Sequence, residues 1–328
     1  MAESISSRST GEAPLGKATD YPTAYDPGLL FSIPRKESRA TLGLSPGDHN
    51  NVGDNPSARD DREIRPLPFH GADLWNAYEV SWLGPTGKPE IRAAQLRVPC
   101  ESQSIVESKS LKLYLNSLNQ HRFDSPEAAR ATIEKDLSRA AGAAVATRFF
   151  TPTELSAKAF PTQASRLAPR AARCLDDLEL AVSRYGREPS LLRTTPNESD
   201  PRDPEGRTDG DGPHTQNTSD DAAILSVYTD LFKSNCPVTG QPDWASVFVE
   251  YAGAPIDDAG LLAYLISYRN EQDFHEHCVE QIFVDIQERC DPKRLTVCAC
   301  FLRRGGLDIN PFRSNFQEAP QFLRSARQ

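Results

Sequence analysis

Apolar positions fall in short runs whose period switches between strand and helix along the chain. Strand-like runs at Asn76–Leu83 (NAYEVSWL) and Ile91–Val98 (IRAAQLRV) flank Gly84-Pro85-Thr86-Gly87, a pattern that predicts a β-hairpin. Leu111, Tyr114, Leu115 and Leu118 then recur at helical spacing. Ser125-Pro126-Glu127 supplies an N-cap with proline at the first helical position, opening a second helix that runs to about Arg139. The same order returns further on. Ile224–Phe232 and Ser246–Tyr251 read as strands and Leu261–Arg269 as a helix. His275–Glu288 reads as a helix with Cys278, Val279, Ile282, Phe283 and Ile286 on one face, and Leu295–Phe301 (LTVCACF) as a strand. The recurrence suggests an internal duplication of structure, although no residue-level repeat is evident.

Three polar stretches interrupt this pattern. Residues 1–18 are expected to form a disordered tail, and residues 45–62 a polar insertion. Residues 193–221 carry four prolines, three glycines and no large apolar side chain, and are expected to form a disordered linker or surface insertion. They bracket two packed modules, residues 19–192 and 222–328.

With 328 residues, 38% of them hydrophobic, the chain can build one or two ordinary cores. A net charge of −9 disfavours nucleic acid or an anionic membrane surface as partner. No apolar run approaches the ~20 residues needed to span a bilayer. The stretch from Met1 to Ala18 lacks an apolar signal region, so a cytoplasmic protein with seven reduced cysteines is expected.

Several constellations could carry chemistry. Cys236 lies in Ser234–Trp244 (SNCPVTGQPDW), where prolines and glycine end the strand pattern. It is either a small buried hydrophobe or a nucleophile on a loop facing a pocket, with Asp243 folding back to exchange protons. His275-Glu276 opens a helix, either as a polar first turn suited to the helix dipole or as a proton donor beside a ligand-orienting carboxylate. Glu107-Ser108-Lys109-Ser110 is a similar charged helix start, and Lys109 and Lys112 are either solvated or phosphate contacts. Arg303-Arg304-Gly305-Gly306 offers cations and exposed N–H groups to an anion. No G-x-G-x-x-G follows a strand, and there is no P-loop. Cys298-x-Cys300 has no partner motif, and His275 and His277 diverge on their helix, so no metal is expected. Cys278, three residues after His275, is expected on the same helix face, close to any pocket that His275 lines.

Taken together, these segments resemble the NADPH-dependent 7-cyano-7-deazaguanine reductases, the nitrile reductases of the queuosine pathway. The resemblance rests on Glu107–Tyr114 (ESKSLKLY), Ser234–Trp244, Phe274-His275-Glu276 and Arg304–Pro311 (RGGLDINP), in that order. Tyr21–Gly43 and Leu67–Val98 are also similar to the family's N-terminal region. The resemblance implies an α+β chain of two tandem tunnelling-fold modules. Each would be an antiparallel sheet backed by two helices, with the barrel completed by oligomerisation into a homo-oligomer, expected to be a dimer. It implies a deazapurine nitrile as small-molecule substrate and NADPH as co-substrate. Cys236 is then the nucleophile that forms a thioimide, Asp243 the proton donor and acceptor, and His275 a second acid–base group that also binds substrate. Val106, Glu107, Ser108 and Glu276 are implied as substrate contacts. Ser108, Lys109, Arg304 and Gly305 are implied as NADPH contacts. A zinc-dependent pterin-type cyclohydrolase of the same fold and a non-catalytic purine-binding protein are the alternatives.

Overall fold

The computed structural model describes residues 21–44, 65–158, 172–195, 223–321, 324–325 and 327–328. The expected tail at 1–18, the insertion at 45–62 and nearly all of the 193–221 segment lie outside the described residues.

The chain is α+β. A short strand β1 (Ser32–Pro34) leads into helix α1 (Arg35–Ala40). The predicted hairpin is β2 (His70–Leu83) with β3 (Pro89–Pro99), longer than the apolar runs that announced it. Strand β4 (Ser104–Val106) pairs antiparallel with β1 and delivers the chain to α2 (Ser108–Ser117). Helix α3 (Pro126–Ala141) begins where expected, with the Ser125 hydroxyl accepting from the Ala128 N–H. It ends on Gly142 in the left-handed region. Strand β5 (Ala146–Phe150), helix α4 (Pro152–Lys158) and the two-residue strand β6 (Arg173–Cys174) follow. The second half supplies β7 (Leu225–Asn235), β8 (Pro242–Ala252), α5 (Asp258–Ser267), α6 (His275–Cys290), β9 (Arg294–Phe301) and β10 (Leu307–Ser314).

Eight strands form one sheet in the order β5-β3-β2-β10-β9-β8-β7-β6. All its pairs are antiparallel except β6 with β7. The last strand, β10, lies between β2 and β9, so the chain's two halves share a sheet rather than sitting apart. Strand alternation sends Trp75, Ala77, Ala94, Leu96, Leu307 and Ile309 into a core with Leu111, Tyr114, Leu115, Ile133 and Leu137 of α2 and α3. Val247, Val249, Val297 and Phe301 face Leu261, Leu265, Val279, Ile282 and Phe283 of α5 and α6 in the other. Each such apolar side chain contributes roughly 1.5–3 kcal/mol on burial. That burial fixes α6, and with it the first turn that carries His275 and Glu276.

The same contacts occur once in each half. In both hairpins the register shifts at the matching place, between Ala77 and Val80 and between Thr229 and Phe232. In α2 the Ser117 hydroxyl donates to the Tyr114 carbonyl at 2.6 Å, and in α5 Ser267 does the same to Tyr264 at 2.6 Å. The Tyr114 hydroxyl donates to Asp136 of α3, and the Tyr264 hydroxyl to Asp285 of α6. Leu111-x-x-Tyr114-Leu115-x-Ser117 thus corresponds to Leu261-x-x-Tyr264-Leu265-x-Ser267. This residue-level repeat is too sparse to stand out in the sequence.

A buried ionic cluster joins α1, β2, α6 and β10. Glu280 of α6 accepts from Arg39 at 2.8 and 3.0 Å and from Arg313 of β10 at 2.8 and 3.1 Å. Asp73 of β2 pairs with Arg313 at 2.8 Å and with Arg35. Burial alone would raise the Glu280 pKa, but Arg313, Arg39 and Arg35 hold it well below the usual carboxylate range. Removing one member of such a pair costs ~3–5 kcal/mol, because the partner is left buried and uncompensated.

Candidate active site

The strand β7 ends at Asn235, and Cys236 opens the turn to β8. The Cys236 N–H donates to the Gln241 carbonyl at 2.9 Å, and the Cys236 carbonyl accepts from the Gly240 N–H at 2.9 Å. The turn is tied down from outside as well. Asn235 N–H donates to the Glu271 carbonyl at 2.8 Å, and Asp273 N–H to the Asn235 carbonyl at 3.1 Å. These bonds hold the thiol at the wall of a cleft of about 1010 Å³, its open mouth included.

The cleft brings together residues far apart in the chain. Its walls include Val106, Glu107, Ser108, Lys109 and Lys112 from the β4–α2 segment. Cys236 and Asp243 come from the β7–β8 hairpin, His275 and Glu276 from the start of α6, and Arg304 and Gly305 from the β9–β10 turn. Every residue expected at the site therefore lines one cavity. Trp75, Ile105, Phe274, Leu302, Leu307 and Ile309 supply its apolar lining, which had no sequence signal beyond ordinary core spacing. Cys278 does not line the cleft. It is fully buried, and burial pushes its thiol well above the usual range.

Asp243, 5% exposed, pairs with Ser234 across the hairpin, so the turn folds it back beside Cys236. Its Oδ1 lies 2.9 Å from Arg304 Nη2 and 3.3 Å from His275 Nε2. The His275 ring stacks on Phe301 with centroids 3.8 Å apart and planes inclined by 9°, which fixes the face it presents. Its Nδ1 is buried with no hydrogen-bond partner among the described residues. Arg304, expected as a dinucleotide contact, also reaches the carboxylate of the acid–base candidate.

Glu107 and Glu276 add buried carboxylates to the cavity lining. Glu107 is the N-cap of α2, accepting from Lys109 N–H at 2.9 Å and Ser110 N–H at 2.7 Å. Burial raises its pKa against these two bonds. A carboxylate has about four lone-pair sites, so acceptor capacity is left for a ligand. Glu276 is 3% exposed. Burial and the nearby Asp73 push its pKa up to about 7, against His275 and Arg35.

The mouth is cationic in a chain of net charge −9. Lys109 and Lys112 line it, and Gly305, at φ +55°, brings backbone against the Lys112 ammonium. A Cβ there would sit 3.0 Å from Lys112 Nζ, and one at Gly306 would sit 2.7 Å from the Glu79 carboxyl carbon. This tight, basic turn suits an anionic dinucleotide approaching the buried carboxylates and thiol. No group of three or more His, Cys, Asp or Glu among the described residues could hold a metal ion.

The matching place in the first half lacks this chemistry. Leu83 and its turn make the same bonds as Asn235, to His121 and Phe123 at 2.9 Å each. Gly84 then stands where Cys236 does, Glu90 opposite Trp82 where Asp243 stands opposite Ser234, and Ser125-Pro126 where α6 has His275-Glu276.

Comparison with known proteins bears on these residues. A family model described as the N-terminal part of nitrile reductase, 7-cyano-7-deazaguanine-reductase, matches residues 54–149. A second, described as QueF-like protein, matches residues 242–320. The chain is 44% identical to an NADPH-dependent 7-cyano-7-deazaguanine reductase of Bordetella parapertussis over 98% of its own length and 100% of the relative's. It is 45% identical to one of Burkholderia mallei over 96% of its length and 98% of the relative's.

Proposed function

Because the chain belongs to the family of NADPH-dependent 7-cyano-7-deazaguanine reductases, we propose that Cys236 is its nucleophile and that Asp243, His275 and Arg304 serve the proton transfers. The protein is an NADPH-dependent oxidoreductase that reduces the nitrile of 7-cyano-7-deazaguanine to the aminomethyl group, a step of the queuosine pathway. The observation that carries the residue assignment is the Asp243 carboxylate. It is held by His275 and Arg304 and folded beside the Cys236 turn in a cleft that also presents Glu107 and Glu276.

A nitrile carbon is a weak electrophile. Asp243 takes the proton of the Cys236 thiol, the thiolate adds to the nitrile carbon to form an S–C bond, and the displaced π pair on nitrogen takes that proton back from Asp243, giving a thioimide. Bound NADPH supplies hydride, and four electrons to the amine require two of them. After the first reduction the C–S bond breaks, the sulfur leaves as thiolate, and Asp243, reprotonated through His275, again serves the nitrogen. Glu107 and Glu276 accept from the ring N–H and amino donors of the base, which sets its register against Cys236. Val106 and Ser108 flank the base. Ser108, Lys109, Arg304 and Gly305 line the approach for the dinucleotide.

The twofold recurrence of hairpin shift, tyrosine–aspartate bond and helix pair supports two tandem tunnelling-fold modules, 19–192 and 222–328, joined by 193–221. Their open sheet would close into a barrel in a homo-oligomer, a dimer on this reading, in the cytoplasm. No helix among the described residues is long and apolar enough to cross a membrane. The test is NADPH oxidation with and without the deazapurine nitrile. Consumption of two NADPH per nitrile, absent without it, is expected. Nitrile-independent oxidation would overturn the assignment.

A further inference from the structure

Glu276 and Glu280 lie one turn apart on the same face of α6, so the buried ionic cluster begins where the cleft ends. The charges that act on Glu276 are Asp73 of β2, Arg35 of α1 and His275 beside it on α6. Arg39 of α1, Arg313 of β10 and Glu280 of α6 complete the ionic cluster to which Arg35 and Asp73 belong. Glu107, Asp243, Asp273 and Asp308 are the other carboxylates that line the cleft. Arg35 is committed on all sides: its Nε donates to Ser102 at 3.1 Å, one terminal nitrogen pairs with Asp73, and the other lies 3.6 Å from Glu280. The arginines and acids of the ionic cluster, and Glu276, are at most 4% exposed, so water screens their mutual field little.

From this arrangement we infer that Arg35 and Asp73, which do not line the cleft, are positioning residues that set whether Glu276 is a carboxylate able to receive the substrate's N–H donors. The inference rests on Glu276 being a substrate contact. A protonated Glu276 would offer one donor and fewer acceptor sites to a base edge that itself donates. Burial already pushes Glu276 up to about 7, with Asp73 pushing further and Arg35 pulling back. Protonation as pH falls through that value should therefore weaken substrate binding. Removing the Arg35 charge moves the weakening to higher pH, and removing the Asp73 charge moves it to lower pH. A purely structural defect would not shift the two variants in opposite directions.

The experiment measures the substrate Kd by calorimetry, without NADPH, across the neutral pH range. It is done in a Cys236→Ala background, so that only non-covalent binding is read. Arg35→Gln should raise the pH of the acid limb by about a unit, lowering affinity at neutral pH by about tenfold. Asp73→Asn should lower it, and Arg35→Lys, which keeps the charge, should leave it in place. Thermal melts accompany each variant, and if Arg35→Gln does not fold, the opposed expectations for Asp73→Asn and Arg35→Lys carry the test. An acid limb unmoved in Asp73→Asn, or moved the same way in all variants, overturns the inference. Glu276→Gln separates the two layers. A limb that persists in Glu276→Gln removes Glu276 from the substrate site. A limb that vanishes there but ignores Arg35 and Asp73 defeats only the positioning role.

Discussion

Asp243→Asn keeps the shape of the side chain at the centre of the site and removes its ability to carry a proton. The structure separates the catalytic from the structural cost of this change. Structurally, Asp243 loses charge opposite Arg304 at 2.9 Å and His275 at 3.3 Å. The Arg304 side chain is 36% exposed, so that pair is partly screened and contributes only ~0–1 kcal/mol. Catalytically, loss of a positioned general acid costs ~10²–10⁴ in rate, or roughly 3–5 kcal/mol in the barrier. Steady-state kinetics with the nitrile and NADPH, alongside thermal melts and equilibrium binding, resolves the two contributions. A fall in kcat of at least a hundredfold, with substrate Kd within a few-fold and Tm within a few degrees, is expected. A tenfold or smaller loss of kcat, or a loss of binding that accounts for the whole effect, would refute the role of Asp243.

Glu107→Ala and Glu276→Ala should each weaken substrate binding more than NADPH binding, by charge-assisted hydrogen bonds worth ~1.5–3 kcal/mol. Only Glu107→Ala should also lower Tm in proportion to a lost N-cap, ~0.5–2 kcal/mol, since Glu107 caps α2. Arg304→Ala should raise the KM for NADPH and also lower kcat, because Arg304 contacts Asp243 as well as the mouth. An unchanged kcat would mean that the Asp243 contact is idle. Deletion of 196–216 should leave activity within a few-fold, since loop closure costs only ~0.6 kcal/mol per doubling of length. A collapse of activity or solubility would show that the segment packs on the body.

Local signals were legible in the sequence because their physics is local. The Ser125-Pro126 start of α3, the apolar face of α6 and the turn after Leu83 each follow from spacing and cap chemistry within a few residues. Cys236 and Asp243 could be linked because a tight hairpin joins them. Glu107 and Glu276 lie on different helices far apart in the chain. Their meeting in one cleft was carried only by family resemblance, and rests physically on β10 pairing with β2. The short strands β1, β4 and β5 were missed, since three to five residues leave no period to read. Arg35, Asp73, Glu280 and Arg313 carry no motif in the sequence. Nothing in the neighbouring residues reports that four elements will bury them together. The Tyr114 and Tyr264 repeat escaped notice because few matching positions survive between the halves.

The most direct measurement is the mass of the protein after incubation with the deazapurine nitrile in the absence of NADPH. The thioimide forms by addition, so the protein should gain the full mass of one nitrile, on the peptide that contains Cys236, and Cys236→Ala should gain none. Persistence of the adduct in Cys236→Ala, or its location on Cys278 or any other cysteine, would contradict the account.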